Sequence, residues 1–134
     1  MWTCLKCNRN FKMTNQSHYC TTKDIGELFL GKPDELVLAF DQILQVTSQW
    51  EPNSVGASVH TIVFTSQKAW LIIKPMKSVL DVKFYYPEVI QSDRFHKVSF
   101  FSGKYAHHLR IQEVEQLDSE FFELLRIGYD YSLE

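Results

Sequence analysis

Three cysteines and one histidine near the N-terminus are the residues best suited to chemistry in this sequence. Cys4 and Cys7 form a C-x2-C pair, and His18 and Cys20 follow after ten intervening residues. Three thiolates and one imidazole complete the tetrahedral coordination of a structural zinc ion and leave no open position for catalysis. We therefore predict a structural zinc site at Cys4, Cys7, His18 and Cys20; the alternative is a set of buried or reactive cysteines beside a surface histidine.

The same segment is basic and rich in aromatic residues. Residues 1–23 carry a net charge of +4, whereas residues 113–134 carry −6. Lys6, Arg9 and Lys12 are interleaved with Trp2, Phe11 and Tyr19, which resembles a small nucleic-acid contact surface of weak and salt-sensitive affinity. The alternative is that these cations only solvate the segment. The expected partner is accordingly a protein or a nucleic acid.

A second candidate site consists of polar residues on predicted strands. His107 and His108 are adjacent on a strand, so their side chains should point to opposite faces of the sheet. One histidine should then lie on the core side, and the other should share a face with Arg110. Residues that could line a ligand groove there are Asp81, Lys83, His96, His108 and Arg110, with His60. The alternative is an ordinary solvated sheet face.

Motifs for enzymatic catalysis are missing from the sequence. No serine or cysteine lies in a recognisable nucleophile motif, and the five glycines are scattered instead of forming a phosphate-binding loop. The sequence therefore favours a non-enzymatic binding module with a structural zinc ion. The alternative function is a small-ligand or metal-handling domain, or an enzyme with its groove around His108 and Arg110.

The composition indicates a globular chain of about one domain. It has 134 residues, of which 45% are hydrophobic and 14% aromatic, and its net charge is −2. These values exclude a disordered chain and a strongly basic nucleic-acid binder of the usual kind. No apolar run approaches the ~20 residues of a membrane span, and no secretory signal is visible. We expect no membrane partner.

The candidate residues must be positioned by helices and strands. The pattern of these elements predicts an α+β body over residues 23–134, preceded by a zinc ribbon over residues 1–22. Apolar spacing predicts a short helix from Asp24 to Gly31 and a second from Pro33 to about Trp50. Asp118 is the expected N-cap of a closing helix. Alternating residues predict a five-stranded antiparallel meander with strands at Val59–Thr65, Ala69–Met76, Val79–Tyr86, Phe95–Phe101 and Tyr105–Gln112.

The chain resembles a bacterial family known as domain of unknown function 5655. The likeness to its N-terminal signature is carried by Trp2, Cys4, Cys7, Arg9, Phe11, Asn15, Gln16, His18 and Cys20, with departures at Leu5 and Asn8. The body is similar over nearly its whole length, including the run at 107–110. A more distant likeness is to the YdhG-like proteins, some of which carry an iron-chaperone label. The resemblance implies a bacterial or phage protein of the cytoplasm and supplies no established activity.

Overall fold

Two α-helices cover one face of a six-stranded antiparallel sheet in this computed structural model, which describes residues 2–3, 10–11 and 25–134. The helices are α1 (Asp34–Thr47) and α2 (Ser119–Ser132), and short 3-10 helices lie at Ile25–Phe29 and Val114–Gln116. The strands of the large sheet are β3 (Ser54–Ala57), β4 (Ile62–Thr65), β5 (Ala69–Pro75), β6 (Leu80–Tyr86), β7 (Lys97–Phe101) and β8 (Lys104–Ile111).

The N-terminal segment is described only at two short strands. β1 (Trp2–Thr3) and β2 (Asn10–Phe11) pair in antiparallel register, with Trp2 opposite Phe11 and Thr3 opposite Asn10. The ladder therefore joins the residues on either side of the C-x2-C sequence. The predicted zinc ligands and Lys6, Arg9 and Lys12 lie outside the described residues.

The predicted five-stranded meander is wrong in two respects. The large sheet has a sixth strand, β3, and its order is β3-β4-β5-β6-β8-β7, so β8 lies between β6 and β7. β3 was missed because the sequence Ser-Val-Gly-Ala carries one sizeable apolar side chain, Val55, and that residue is exposed on an edge strand. The order was missed because short links between strands predict neighbours, whereas residues 87–96 are long enough to pass β8.

The helices also differ in part from the prediction. The first predicted helix is the 3-10 helix Ile25–Phe29, not an α-helix, and α1 ends at Thr47 instead of near Trp50. The closing helix begins as predicted, because the Asp118 carboxylate accepts a hydrogen bond from the Phe121 backbone N–H at 3.0 Å. A capping side chain is a local signal, which explains why this helix start was found from the sequence.

The core lies between the helices and the sheet. Phe40 of α1 contacts Phe64 of β4, with ring centroids 6.3 Å apart, and α2 packs on β5 and β6. α2 approaches the sheet closely at Gly128, where a Cβ atom would lie 2.6 Å from Cδ2 of Phe84. Both helices cover the same face, and the opposite face of the sheet is called the outer face here. It carries most of the polar strand residues together with the apolar Val63 and Ile72.

Candidate functional site on the outer face of the sheet

The outer face carries four of the candidate residues predicted from the sequence, Asp81, Lys83, His108 and Arg110, and three of them are in contact. The carboxylate of Asp81 on β6 lies 3.0 Å from Nδ1 of His108 and 3.4 Å from Nε of Arg110, both on β8. Asp81 is directly opposite Arg110 in the strand register and diagonal to His108. One carboxylate therefore orients two donor side chains that point away from the helices.

This group has free donor atoms that could bind an anion. Asp81 occupies Nδ1 of His108 and Nε of Arg110, so the second imidazole nitrogen and the terminal guanidinium nitrogens are available to a ligand. Among the residues described here, no serine, threonine or cysteine side chain hydrogen-bonds His108. The Asp81 carboxylate holds the His108 ring and the Arg110 side chain in fixed positions.

Lysines surround the group on every neighbouring strand. Lys83 of β6 and Lys97 of β7 lie opposite His108 on its two sides, and Lys74 of β5 lies opposite Asp81. Within residues 25–134, Lys74 and Lys97 form no ion pair with a carboxylate. The outer face therefore carries five cationic side chains and one carboxylate on β5–β8: Lys74, Lys83, Lys97, Lys104 and Arg110, against Asp81.

Two aromatic rings lie at the end of the same face. Tyr85 on β6 and Phe101 on β7 contact each other with centroids 6.3 Å apart and an interplanar angle of 33°. The ammonium groups of Lys104 and Lys83 lie 4.6 Å and 5.6 Å from the Tyr85 ring centroid. Tyr85 and Phe101 are called the aromatic pair below. Their position puts apolar surface directly beside the cations.

The predicted opposite orientation of the two histidines is confirmed, and His107 is structural. His107 is fully buried on the helix side, where its ring stacks on Phe84 at 5.3 Å and meets the edge of Phe95 at 4.9 Å. Its Nδ1–H donates to the Tyr105 carbonyl at 3.1 Å, and its Nε2 accepts from the Ile90 N–H at 3.1 Å. These bonds require the neutral imidazole and attach residues 87–96 to the sheet.

The other end of that connection is attached by an ion pair. Arg94 donates to both carboxylate oxygens of Asp118 at 2.8 Å and to the Gln116 carbonyl at 2.9 Å. The hydrogen bond from the Arg94 guanidinium holds the pKa of Asp118 below its ordinary value. The long connection that takes the chain past β8 is thus fixed at both Ile90 and Arg94, and with it the position of β7.

The burial of His107 should make the free energy of unfolding depend on pH. Burial lowers the pKa of His107 below its ordinary value of 6.5, so the unfolded chain binds a proton more readily than the folded one. This histidine's contribution to the free energy of unfolding should be complete above pH 6.5 and should fall as the pH drops from 6.5 to the lowered folded-state pKa. Urea unfolding measured from pH 5 to 8 is the test.

Two histidine variants separate this effect from other titrations. His107→Gln retains a hydrogen-bond acceptor near Ile90 without a titrating ring, so its loss of stability on acidification should be smaller than that of the wild type. His108→Gln leaves His107 and its two hydrogen bonds in place and should still show the loss of stability on acidification that His107 causes. Equal pH slopes for wild type and His107→Gln would exclude His107 as the source.

Other predicted residues do not join the Asp81 group. His96 precedes β7 and is exposed; its backbone N–H donates to the His108 carbonyl at 2.8 Å, but within the described chain its side chain has no hydrogen bond to the group. His60 is exposed in the turn between β3 and β4. Sequence reasoning missed Lys74, Lys97, Lys104 and Phe101. Their alternation along the strands was a usable signal, but the sheet order was needed to bring them together.

The structure and site define an α+β domain whose antiparallel sheet has a buried face and a cationic outer face. The family model described as Domain of unknown function (DUF5655) matches residues 25–132, and the chain therefore belongs to that family. The match begins after the cysteine–histidine segment, and the more distant YdhG-like likeness is not shown. No curated protein and no solved structure matches the chain. Among the helices described here, none is long and apolar enough to span a membrane.

Proposed function

We propose that this protein is a non-enzymatic binding module that holds nucleic acid on the outer face of its sheet. The observation that supports the proposal is the excess of cations on that face, where five cationic side chains accompany the single carboxylate of Asp81. Phosphate groups of nucleic acid are neutralised by such Lys and Arg side chains, which also give most of the binding free energy.

The charges on the two helices also favour binding of nucleic acid to the outer face. α1 and α2 together contain six acidic residues and one basic residue, Arg126, and both lie on the opposite side of the sheet. The chain's net charge of −2 is therefore the sum of a positive outer face and negatively charged helices on the other side of the sheet. Such a charge distribution attracts a polyanion to the outer face and turns the helices away from it.

We also propose that residues 1–22 fold around a structural zinc ion held by Cys4, Cys7, His18 and Cys20. The donor set is complete for tetrahedral zinc, and the pairing of β1 with β2 on either side of the C-x2-C sequence is compatible with a ribbon at this point. The zinc would order the segment and take no part in a reaction. The cations Lys6, Arg9 and Lys12 would add a second contact for the same nucleic acid.

Removing two outer-face lysines tests the nucleic-acid proposal. Lys74→Gln combined with Lys97→Gln deletes two cations that form no ion pair within the described chain, so the fold should be retained. We expect the affinity for a labelled single strand of ~20 nucleotides to fall roughly 10- to 30-fold at ~0.1 M salt, because each lost phosphate contact removes about 0.7 from the salt slope. Fluorescence anisotropy titrations over a range of salt concentrations measure both quantities.

The matched control removes two lysines elsewhere. Lys32→Gln with Lys77→Gln makes the same change in net charge in the loop before α1 and in the β5–β6 turn. Its affinity should remain within a factor of about two of the wild-type affinity, and its salt slope should be unchanged. An equal loss in both double variants, or a wild-type protein that binds no oligonucleotide at low salt, would contradict the proposal.

A further inference from the structure

We infer that the nucleic acid on the outer face is single-stranded and that its bases stack on the aromatic pair, Tyr85 and Phe101. This inference rests on the proposed function, to which it adds the strand form and the stacking surface.

The strand order creates the stacking surface. Tyr85 and Phe101 stand on strands separated by β8, about 9.6 Å apart for two strand spacings. On the outer face, Tyr85 pairs with Ala106 of β8 and Phe101 pairs with Lys104 of β8, so the two rings lie on a diagonal across that strand. Ala106 has a single methyl group and is only 4% exposed, and the two rings across this strand are in contact, with centroids 6.3 Å apart. The result is one apolar surface that spans three strands.

The rings remain accessible and are bordered by charge. Phe101 is 60% exposed, although it packs against Tyr85. Lys83 and Lys104 lie beside the Tyr85 ring, within reach of the phosphates that would flank a stacked base. Aromatic side chains interleaved with cations on an open sheet are the chemistry by which proteins bind single strands: bases stack on rings, and the backbone follows the positive charge.

A duplex cannot use the rings in this way. Its bases stack on one another and expose only their edges, so the sheet would reach its phosphates through the lysines and leave the aromatic pair unused. The outer face should therefore bind single strands more tightly than duplexes of the same length. An anionic membrane surface is the competing partner for exposed aromatics beside lysines, and it is included as an arm of the test.

The test replaces the rings and retains apolar side chains. The double variant Tyr85→Leu with Phe101→Leu removes the stacking surface. We expect its affinity for a labelled single strand of ~20 nucleotides to fall roughly 10- to 100-fold, with the salt slope and the duplex affinity unchanged. Phe101→Leu alone, at the exposed position, is expected to retain the fold and to show part of the loss. Thermal unfolding of each variant verifies that it is folded.

Phe100→Leu is the matched control, because Phe100 is 67% exposed on the same hairpin but packs against Tyr105 on the opposite face. It should bind like the wild type. Wild-type protein that binds duplex and single strand equally would overturn the inference, as would equal loss in the Phe100→Leu control. The double variant Lys74→Gln with Lys97→Gln tests the nucleic-acid proposal separately. A result against base stacking would therefore leave the proposed nucleic-acid binding intact. Binding to mixed phosphatidylcholine and phosphatidylserine vesicles but to no oligonucleotide would overturn both.

Discussion

Protein purified under reducing conditions is expected to contain one zinc ion per chain, and the double variant Cys4→Ser/Cys7→Ser is expected to contain none. Zinc sites of this donor type contribute about 10–16 kcal/mol of apparent binding free energy in small finger peptides, which is enough to order a segment that has too few residues for its own core. Elemental analysis measures the stoichiometry, and limited proteolysis measures order: residues 1–22 should be cleaved readily in the variant and slowly in the zinc-loaded protein.

Two further measurements make the zinc prediction specific. His60→Asn removes an exposed histidine from the β3–β4 turn and should retain a full zinc content. The thermal unfolding of the body should be nearly the same in the wild type and the double cysteine variant, because the described core is built from residues 25–134. Less than stoichiometric zinc in freshly purified wild type would show that the four residues do not form the proposed site.

Gly128→Ala is expected to lower the free energy of unfolding by about 2 kcal/mol, although alanine is the better helix former by about 1 kcal/mol. The added Cβ would lie 2.6 Å from Cδ2 of Phe84 and 3.0 Å from its Cβ and Cγ. Phe84 is fully buried and stacked on His107, so its ring is enclosed by neighbouring side chains. The clash must instead separate α2 from β6. Urea unfolding of both proteins measures the difference.

Gly26→Ala is the matched control for this substitution. Gly26 is in the 3-10 helix Ile25–Phe29, and a Cβ placed there has no heavy atom within 4 Å. The control should change the free energy of unfolding by less than about 1 kcal/mol. A Gly128→Ala variant as stable as the wild type would mean that α2 does not approach the sheet as closely as the structure indicates.

Local signals predicted the parts of the fold that depend on neighbouring residues. The Asp118 cap, the helix that follows Pro33 and five of the six strands of the large sheet were all found, because caps, apolar spacing and alternation act within a few residues. β3 was not found, since an edge strand with one sizeable apolar side chain, Val55, has too little alternation to be distinguished from a loop. The position of β8 between β6 and β7 depends on contacts distant in the chain.

In the candidate site too, features set by neighbouring residues could be predicted, and those that depend on distant contacts could not. Asp81, Lys83, Tyr85, His108 and Arg110 could be assigned to polar strand positions from alternation alone. Their meeting with Lys74 and Lys97 could not be predicted, because it depends on which strands are neighbours. Net charge was misleading for the same reason: acids on the helices cancel cations on the sheet in any sum over the chain. The described residues do not test the predicted zinc ligands.

The place of β8 in the sheet also bears on how the chain is made. β7 leaves the ribosome before β8, and in the finished sheet its neighbour is β8. A nascent chain that ends before residue 104 therefore holds β7 with Phe100 and Phe101 and without its partner strand. The same truncation removes the strand that carries His108 and Arg110. Unpaired apolar strands promote aggregation, so β7 is open to pairing with other chains until β8 has been made.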